Sequence, residues 1–484
     1  MGNHTMFQYF EWYLENDGQH WKRLKKDAKE LADIGITALW IPPAYKAIAQ
    51  GDVGYATYDL YDLGEFHQKG TVRTKYGAKE ELKEAIKELH SHKIQVYLDA
   101  VLNHKAGADK TERFMAEEVN PENRMEVLTE PYEIEGWTSF LFPGRGDKYS
   151  DFKWNWCHFT GTDINVDTGK NAIYRIIGEH KSWSEEVDKE FGNYDYLMFA
   201  DIDYEHPEVY NEIIRWGAWV VTDLELDGFR LDAIKHIKRS FIMDFLTKVR
   251  EAANKEDLYV VAEYWVNDIM ALQETLEKIN HGIDLFDVAL HYKFHEASKV
   301  GKDYDLSTIF QDTLVEKNPI HAVTFVENHD SQLGQSLESW VEDWFKPLAY
   351  GMILLWKDGY PCVFYGDYYG IGGENPVDGK KDILDKLLYI RKHYAYGDQT
   401  EYLDHPNVIG WVRNGDIEFK DSGCAVIISN GDDGEKLMHV GEGREGDTWV
   451  DYLGGIEEEV IIGEDGCGLF KVKGGSISVW IKKS

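Results

Sequence analysis

Runs of apolar residues alternate along the chain with stretches whose apolar residues recur at helical spacing, such as Leu82, Ala85, Ile86 and Leu89. The runs are apolar almost throughout, which indicates strands of a parallel sheet covered on both faces. Eight runs fit this description: Met6–Phe10, Ile36–Ile41, Ile94–Leu102, Leu226–Leu231, Leu258–Ala262, Ile283–Ala289, Ala322–Val326 and Pro361–Tyr365. Eight strands separated by helices predict an α/β fold, the (β/α)8 TIM barrel.

This alternation breaks after His104 and changes character near Gly397. Roughly a hundred residues separate His104 from the helix-like Pro207–Val221, whereas an ordinary βα loop has ~2–6. From Gly397 onward, short alternating runs such as Ala425–Ser429 lie between turns rich in Gly and Asp, a pattern typical of antiparallel sheets. We therefore predict three domains: a barrel from 1–104 and 207–396, an inserted domain B at 105–206, and a C-terminal antiparallel β-sandwich at 397–484.

Charge and composition restrict the partners. The 484 residues include 52 basic and 87 acidic side chains, a net charge of −35, which argues against binding nucleic acid or an anionic membrane. No apolar run reaches the ~18 residues of a membrane span, and the chain begins without a basic and apolar leader. We expect a monomer located in the cytoplasm; a secreted form with its leader removed is the alternative. Aromatic residues make up 14% of the chain and suit either stacking on sugars or a large core.

Polar clusters follow four of the predicted strands: Asp99–His104, Arg230 with Asp232, Glu263, and Glu327–Asp330. The carboxyl ends of barrel strands meet on one face, so these clusters should converge there. Arg230 and Asp232 alone could equally be a structural ion pair. Four clusters that together carry five acids and two histidines are harder to explain as structural charge.

Cleavage of a glycosidic bond fits these acids. It requires one acid to protonate the leaving oxygen and a carboxylate on the other side of the sugar ring. Asp232 suits the nucleophile, because Arg230 lies on the same face of the strand and keeps its carboxylate ionised. Glu263 precedes Tyr264 and Trp265, whose apolar surroundings would raise its pKa, so it suits the general acid and base.

Three more side chains could hold the sugar. Asp330 would be a third carboxylate, bound to sugar hydroxyls as the ring flattens. His104 and His329 could donate hydrogen bonds to the same sugar. A lone histidine is more often structural, but these two stand beside the acids.

The clusters resemble the signature regions of the α-amylase family of glycoside hydrolases, and the resemblance covers almost the whole chain. The matching segments are Asp99–His104, Gly228–Asp232, Ala262–Trp265, Val326–Asp330 and, in the insertion, Met198–Asp203. The resemblance is strongest to the liquefying bacterial subfamily, and especially to its intracellular members. Two segments carry this narrower resemblance, Val53–Phe66 and Gly192–Leu197.

The resemblance implies an α-amylase that cleaves internal α-1,4 bonds of starch, glycogen or maltodextrins with retention, through a covalent glycosyl-enzyme on Asp232. It places Tyr55 under the sugar at the cleavage point, and Trp265, Lys235 and His236 on the leaving-group side. A 4-α-glucanotransferase, which passes the sugar to another glucan, would use the same acids and is the alternative. A non-catalytic binding protein of this fold would be expected to lack acids that are present here.

The resemblance also implies a calcium ion between the barrel and the insertion. Calcium binds roughly six to eight hard oxygens. The ligands implied are Asn103, Asp195, Asp201 and the backbone carbonyl of His236. The opposing interpretation is that acids fall near one another by chance in a chain with 87 of them.

The chain departs from the family pattern at a neighbouring ion cluster. Secreted relatives use further aspartates there to hold a sodium and a second calcium. Thr160, Ser184 and Glu205 occupy such positions in this chain, although Asp203 remains. We therefore predict one calcium, with the second calcium and the sodium absent.

Overall fold

The computed structural model describes residues 2–483, and a closed barrel of parallel strands lies at its centre. In chain order, barrel strands one to eight are Met6–Gln8, Ala38–Ile41, Gln95–Ala100, Gly228–Leu231, Tyr259–Ala262, Asp284–Phe286, Ala322–Phe325 and Tyr360–Phe364. Each strand pairs with the next one along the chain, and strand eight closes on strand one, where Val363 lies opposite Phe7. The predicted (β/α)8 barrel is confirmed, and every predicted run overlaps one barrel strand.

Helices pack against the barrel strands through apolar stripes. The α-helices are His20–Ile34, Lys79–Ser91, Pro207–Leu224, Arg239–Ala253, Ile269–Lys278, Val288–Val300, Leu314–Lys317, Lys346–Leu355, Tyr365–Tyr369 and Lys381–His393. The first helix buries Trp21 and Leu24 in one core with Leu39 and Leu98 of the barrel strands. It ends at Gly35, whose left-handed φ of 103° suits a residue without a side chain. Short 3-10 helices occur at Trp156–His158, Glu190–Gly192, Ile234–His236, Gly301–Asp303, Leu306–Thr308 and Pro319–His321.

A separate seven-stranded sheet interrupts the barrel after strand three. Its strands are His104–Lys105, Lys110–Asn120, Asn123–Val127, Tyr132–Ser139, Phe159–Asn165, Lys170–Ile176 and Ala200–Ile202. The first and last of these strands pair with each other, with His104 opposite Asp201. The insertion therefore leaves and re-enters the barrel at nearly one point. Two small hairpins complete the barrel region, formed by Lys46–Ala47 with Thr57–Asp59 and by Gly370–Ile371 with Val377–Asp378.

Antiparallel sheets follow the last barrel helix. One contains, in spatial order, Gln399–Tyr402, Val408–Arg413, Cys424–Ser429, Ser476–Lys482, Thr448–Asp451 and Val460–Ile461; the other pairs Gly434–His439 with Cys467–Val472. The sheets share a core that includes Trp449, Phe470 and Trp480. The predicted C-terminal β structure is confirmed, while the exact domain limits stay a prediction. Among the helices of residues 2–483, none has the length and apolar character of a membrane span.

Candidate active site

One buried guanidinium joins three carboxylates at the carboxyl end of the barrel. Arg230, on strand four, is fully buried and contacts Asp99 Oδ1 at 3.0 Å and the carboxylate of Asp232 through the same nitrogen. Its other terminal nitrogen contacts Glu263. A buried cation needs such partners, because leaving it unpaired would be strongly destabilising. The sequence predicted the pair of Arg230 with Asp232, and the structure adds that the same cation also holds Glu263.

Glu263 is in an environment that favours the protonated carboxyl. Burial raises the pKa of Glu263 to about 7; the charges of Asp232 and Asp99 also raise it, and Arg230 opposes the rise. A carboxyl with this pKa holds a proton near neutral pH and can release it within the reaction. These are the properties of a general acid that later acts as a base.

Asp330 and His329 lie just beyond strand seven. Burial, and after it the charge of Glu263, raises the pKa of Asp330 well above its usual range. Gln8 donates to His329 Nδ1 at 3.0 Å, so the ring proton is on Nε2, which lies 3.2 Å from Asp330 Oδ2. Burial lowers the pKa of His329 well below its usual range, so the ring is neutral. The ring has no exposed surface, and its contact with substrate stays a prediction.

A cavity of about 530 Å³ opens above these acids. The predicted site residues that line it are Tyr55, His104, Asp232, Lys235, His236, Glu263, Trp265 and Asp330. Arg230 and His329 lie behind the wall rather than in it. The structure therefore brings the predicted catalytic and substrate-binding residues together at one cleft.

Parallel rings form one side of the cleft. The Tyr55 ring lies 4.9 Å from the ring of His329, at 9° to it, and 5.9 Å from that of Trp12, at 5°. Tyr55 also donates to Asp99 Oδ2 at 2.7 Å, and His104 Nε2 donates to the Tyr55 carbonyl at 2.9 Å. These bonds fix the orientation of the Tyr55 ring beside the acids.

The cleft wall also carries Lys235, His236 and Trp265. Lys235 forms an ion pair with Glu190 of the insertion. His236 Nδ1 donates to the Tyr194 carbonyl at 2.7 Å, and burial lowers the pKa of His236 to about 4, so its ring is neutral. The insertion thus supplies part of the cleft.

Several wall residues were not predicted from the sequence: Trp12, Asp52, Val53, Ala56, Glu190, Tyr194, Leu197, Met198, Phe199, Ala233, Ser336 and Leu337. For two of them, the sequence position alone could have indicated a place in the cleft. Trp12 follows the carboxyl end of strand one, where functional side chains of barrels are expected. Glu190 shortly precedes the motif Gly192–Leu197.

Three of the residues predicted to bind calcium, Asn103, Asp195 and Asp201, form a buried group. Asn103 donates to Asp201 Oδ1 at 3.3 Å, and Ser184 N donates to Asp195 Oδ2 at 2.9 Å. Burial raises the pKa of Asp195 to about 8 and that of Asp201 well above its usual range, with Asp195 adding to the rise for Asp201. Within residues 2–483, neither carboxylate has a Lys or Arg partner within ion-pair distance, so a hard cation fits the group.

A lysine neutralises the neighbouring carboxylate. Lys181 Nζ lies 2.6 Å from Asp203 Oδ2 and also donates to the Phe159 carbonyl at 3.0 Å. Both side chains are nearly buried. Thr160 donates to Asp201. The ammonium group of Lys181 is a fixed positive charge that the sequence did not reveal.

A second group of ligand-type residues lies close by. Atoms of His158, His206 and Glu208 lie within 4.8 Å of one another. Asn155 N donates to His158 Nδ1 at 3.0 Å, so the ring proton is on Nε2, which faces Glu208 at 3.6 Å. With its proton on Nε2, His158 has no free ring nitrogen to offer a metal ion, which argues against a metal centre here.

A barrel that holds two carboxyl groups on one guanidinium, one of them with a raised pKa, beside a wall of aromatic rings, defines a glycoside hydrolase. Comparison with known proteins gives the family. The protein-family model described as "Alpha amylase, catalytic domain" matches residues 26–400 of this chain. The chain belongs to the α-amylase family.

Relatives with this name match over the whole chain. An α-amylase of Bacillus licheniformis is 55% identical over 483 residues, which cover 99% of this chain and 94% of that protein. The cytoplasmic α-amylase of Escherichia coli strain K12 is 45% identical over 493 residues, 99% of each. The structure of a Geobacillus thermoleovorans α-amylase complexed with acarbose matches with a TM-score of 0.65 and 19% identity, covering 100% of this chain and 98% of that one. That likeness concerns the fold alone.

Proposed function

We propose that the protein is an α-amylase that hydrolyses internal α-1,4 bonds of starch, glycogen and maltodextrins with retention of configuration. The observation that carries the proposal is the single guanidinium of Arg230 shared by Asp232 and Glu263 at the cleft. It keeps two carboxyl groups with different roles close to one sugar, as a retaining mechanism requires.

The reaction has two displacements. Asp232 attacks the anomeric carbon while Glu263 donates its proton to the glycosidic oxygen, so the leaving glucan departs with a new hydroxyl group. Water then attacks the same carbon, Glu263 takes a proton from it, and the bond to Asp232 breaks. Atoms and charge balance over the cycle, and both carboxyl groups return to their starting states.

The remaining wall residues are assigned by position. Tyr55, His104 and Asp330 hold the sugar at the point of cleavage, with Tyr55 as the stacking surface. Lys235, His236 and Trp265 bind the leaving part of the glucan. His329 acts on the sugar through Nε2 once substrate has settled against Asp330.

The fully buried carboxylates support one structural calcium ion. Asn103, Asp195, Asp201 and the carbonyl of His236 would hold it, and its charge would offset that of the aspartates. The ion would join strand-three and insertion residues, in keeping with a barrel of 1–104 and 207–396 and an inserted domain at 105–206. The chemistry at the sugar needs no direct contact with it.

Lys181 supports the absence of a second ion. Its ammonium group already neutralises Asp203, so further calcium or sodium would gain little there. Equilibrium dialysis should give one calcium per chain for the parent and for the surface control Lys189→Met. Lys181→Met should bind an additional cation. Two tightly bound calcium ions in the parent would refute this assignment.

The decisive experiment for the function is a product time course on amylose, with reducing ends and chain lengths measured together. Early loss of long chains with rising reducing ends supports endo-hydrolysis. Redistribution of chain lengths without new reducing ends would identify a 4-α-glucanotransferase, which uses the same Asp232 chemistry. NMR of the first products tests retention, because a retaining enzyme releases the α-anomer first.

Location and assembly are also proposals. One relative is named a cytoplasmic α-amylase, and we place this chain in the same compartment. The expected partner is a neutral α-glucan, and the net charge of −35 argues against nucleic acid or an anionic membrane. Cell fractionation tests the compartment, and light scattering tests the expected monomer.

A further inference from the structure

The segment after strand seven carries a catalytic-site carboxylate and part of the cleft wall. It contains Asp330, and it supplies Ser336 and Leu337 to the wall. Between residues 326 and 345, all of which the structure describes, the chain forms no helix or strand. Side-chain contacts must therefore fix the path of this segment.

The carboxylate of Glu327 binds both ends of the segment. Its Oε2 accepts a hydrogen bond from Ser331 Oγ at 2.5 Å, and its Oε1 accepts one from Val341 N at 2.6 Å. Ser331 Oγ also accepts from Asn328 N at 2.9 Å, and Asn328 Oδ1 accepts from Asp330 N at 2.8 Å. Glu327 is thus connected to the backbone of Asp330 through two residues.

A buried lysine attaches Glu327 to the barrel. Lys346, at the start of the helix Lys346–Leu355, places Nζ 3.7 Å from Glu327 Oε1 and 3.1 Å from the centre of the Trp340 ring. It also forms an ion pair with Asp367, which accepts from Tyr350 at 2.7 Å. Lys346 and Glu327 are at most 1% exposed. A buried ion pair of this kind adds little to the free energy of unfolding, but it favours one arrangement of its side chains.

We propose that Glu327 is a positioning residue for the glycosidase reaction: its carboxylate clamps Ser331 and Val341, and so fixes Asp330 against the sugar. Glu327 does not line the cleft, so it acts through the segment and not on the substrate. The inference rests on the proposed function of the site.

Ser331→Ala tests the clamp most directly, because it removes the hydroxyl group that links Glu327 to Asn328 N and leaves the ion pair of Lys346 intact. We expect kcat to fall about tenfold, since sub-ångström displacement of a catalytic group is costly. KM should stay within about twofold, because the lost contact matters mainly in the transition state. Glu327→Ala should show the same split more strongly.

A conservative variant and a matched control distinguish positioning from general damage. Glu327→Gln can still accept from Val341 N and can donate to Ser331 Oγ, so it should keep at least about half of the parent kcat. Asp367→Asn disturbs the same lysine without touching the segment, and it should also stay within about twofold of the parent kcat. Thermal unfolding is recorded for every variant.

The outcomes separate the clamp from the proposed function. A parent protein that releases no reducing ends from amylose overturns the function. An active parent with Ser331→Ala and Glu327→Ala within about twofold of its kcat overturns the clamp, as does an Asp367→Asn variant impaired as much as Glu327→Ala. If Ser331→Ala does not fold, the kcat of Glu327→Gln becomes the test. A kcat near that of the parent supports the clamp, and a loss above about tenfold refutes it.

Discussion

Replacing Asp99 by Asn should move the alkaline limb of the pH–activity profile to lower pH. Asp99 is fully buried, binds Arg230 and does not line the cleft. Its negative charge raises the pKa of Glu263 directly. It also takes up part of the charge of Arg230 that would otherwise lower that pKa. Removing the charge changes both effects in the same direction, so Glu263 loses its proton at lower pH.

The size of the expected pKa decrease follows from the distance between the carboxylates that share the Arg230 guanidinium. Carboxylates on the two terminal nitrogens of one Arg are ~5–6 Å apart, and at an effective dielectric of ~20 their repulsion is ~3 kcal/mol, or ~2 pKa units. The charge of Arg230 that Asp99 no longer takes up acts in the same direction, so a net decrease of at least about 1 unit is expected. In the parent, activity that needs protonated Glu263 is present below a pKa of about 7 and is lost as pH rises through it.

The assay is kcat/KM on a maltooligosaccharide across pH, since that ratio reports the pKa values of the free enzyme. Asp367→Asn is the matched control, because it removes a buried carboxylate that binds Lys346 instead of Arg230. Its alkaline limb should not move. Circular dichroism at each pH confirms that Asp99→Asn remains folded. An alkaline limb that stays in place or rises in folded Asp99→Asn would refute the electrostatic reasoning.

Three further changes have defined outcomes. Asp232→Asn should lower kcat by several orders of magnitude while the protein still folds, because the nucleophile is lost and Arg230 keeps Asp99 and Glu263 as partners; near-normal release of reducing ends would contradict its role. Chelation with EDTA should lower the melting temperature, since Asp195 and Asp201 would repel each other, and calorimetry should show recovery with calcium but not magnesium. Glu190→Gln should lower KM for long maltodextrins at constant kcat, because Lys235 no longer has to leave an ion pair; a higher KM would show that Glu190 itself binds the glucan.

The barrel could be predicted because its local signals agree with its topology. Every strand is buried on both faces and therefore forms an apolar run, as Val96–Leu98 of strand three illustrates. Parallel strands also fix where functional residues gather, so polar residues after strands three, four, five and seven had to meet on one face. This reasoning was sufficient to predict that the acids Asp232, Glu263 and Asp330 lie together.

Contacts between separate elements could not be predicted in the same way. Arg230 reaches Glu263 because strands four and five pair with Arg230 opposite Val261, a register that no single segment encodes. The pair of Lys181 with Asp203 depends on how the insertion folds back on itself. Glu327 belongs to the polar cluster predicted after strand seven, yet its carboxylate binds Ser331 and Val341 and does not line the cleft.

In the mechanism that we propose, the shared cation also explains how Glu263 can act first as acid and then as base. The charge of Asp232 is among the causes that raise the pKa of Glu263, which keeps its proton in place before the first displacement. Once Asp232 has become a neutral ester with the sugar, that repulsion is gone, and Arg230 can act more fully on Glu263. The pKa of Glu263 must then fall, so the carboxylate left after proton donation stays ionised and is ready to take a proton from water. Each half-reaction thereby prepares the protonation state that the next one requires.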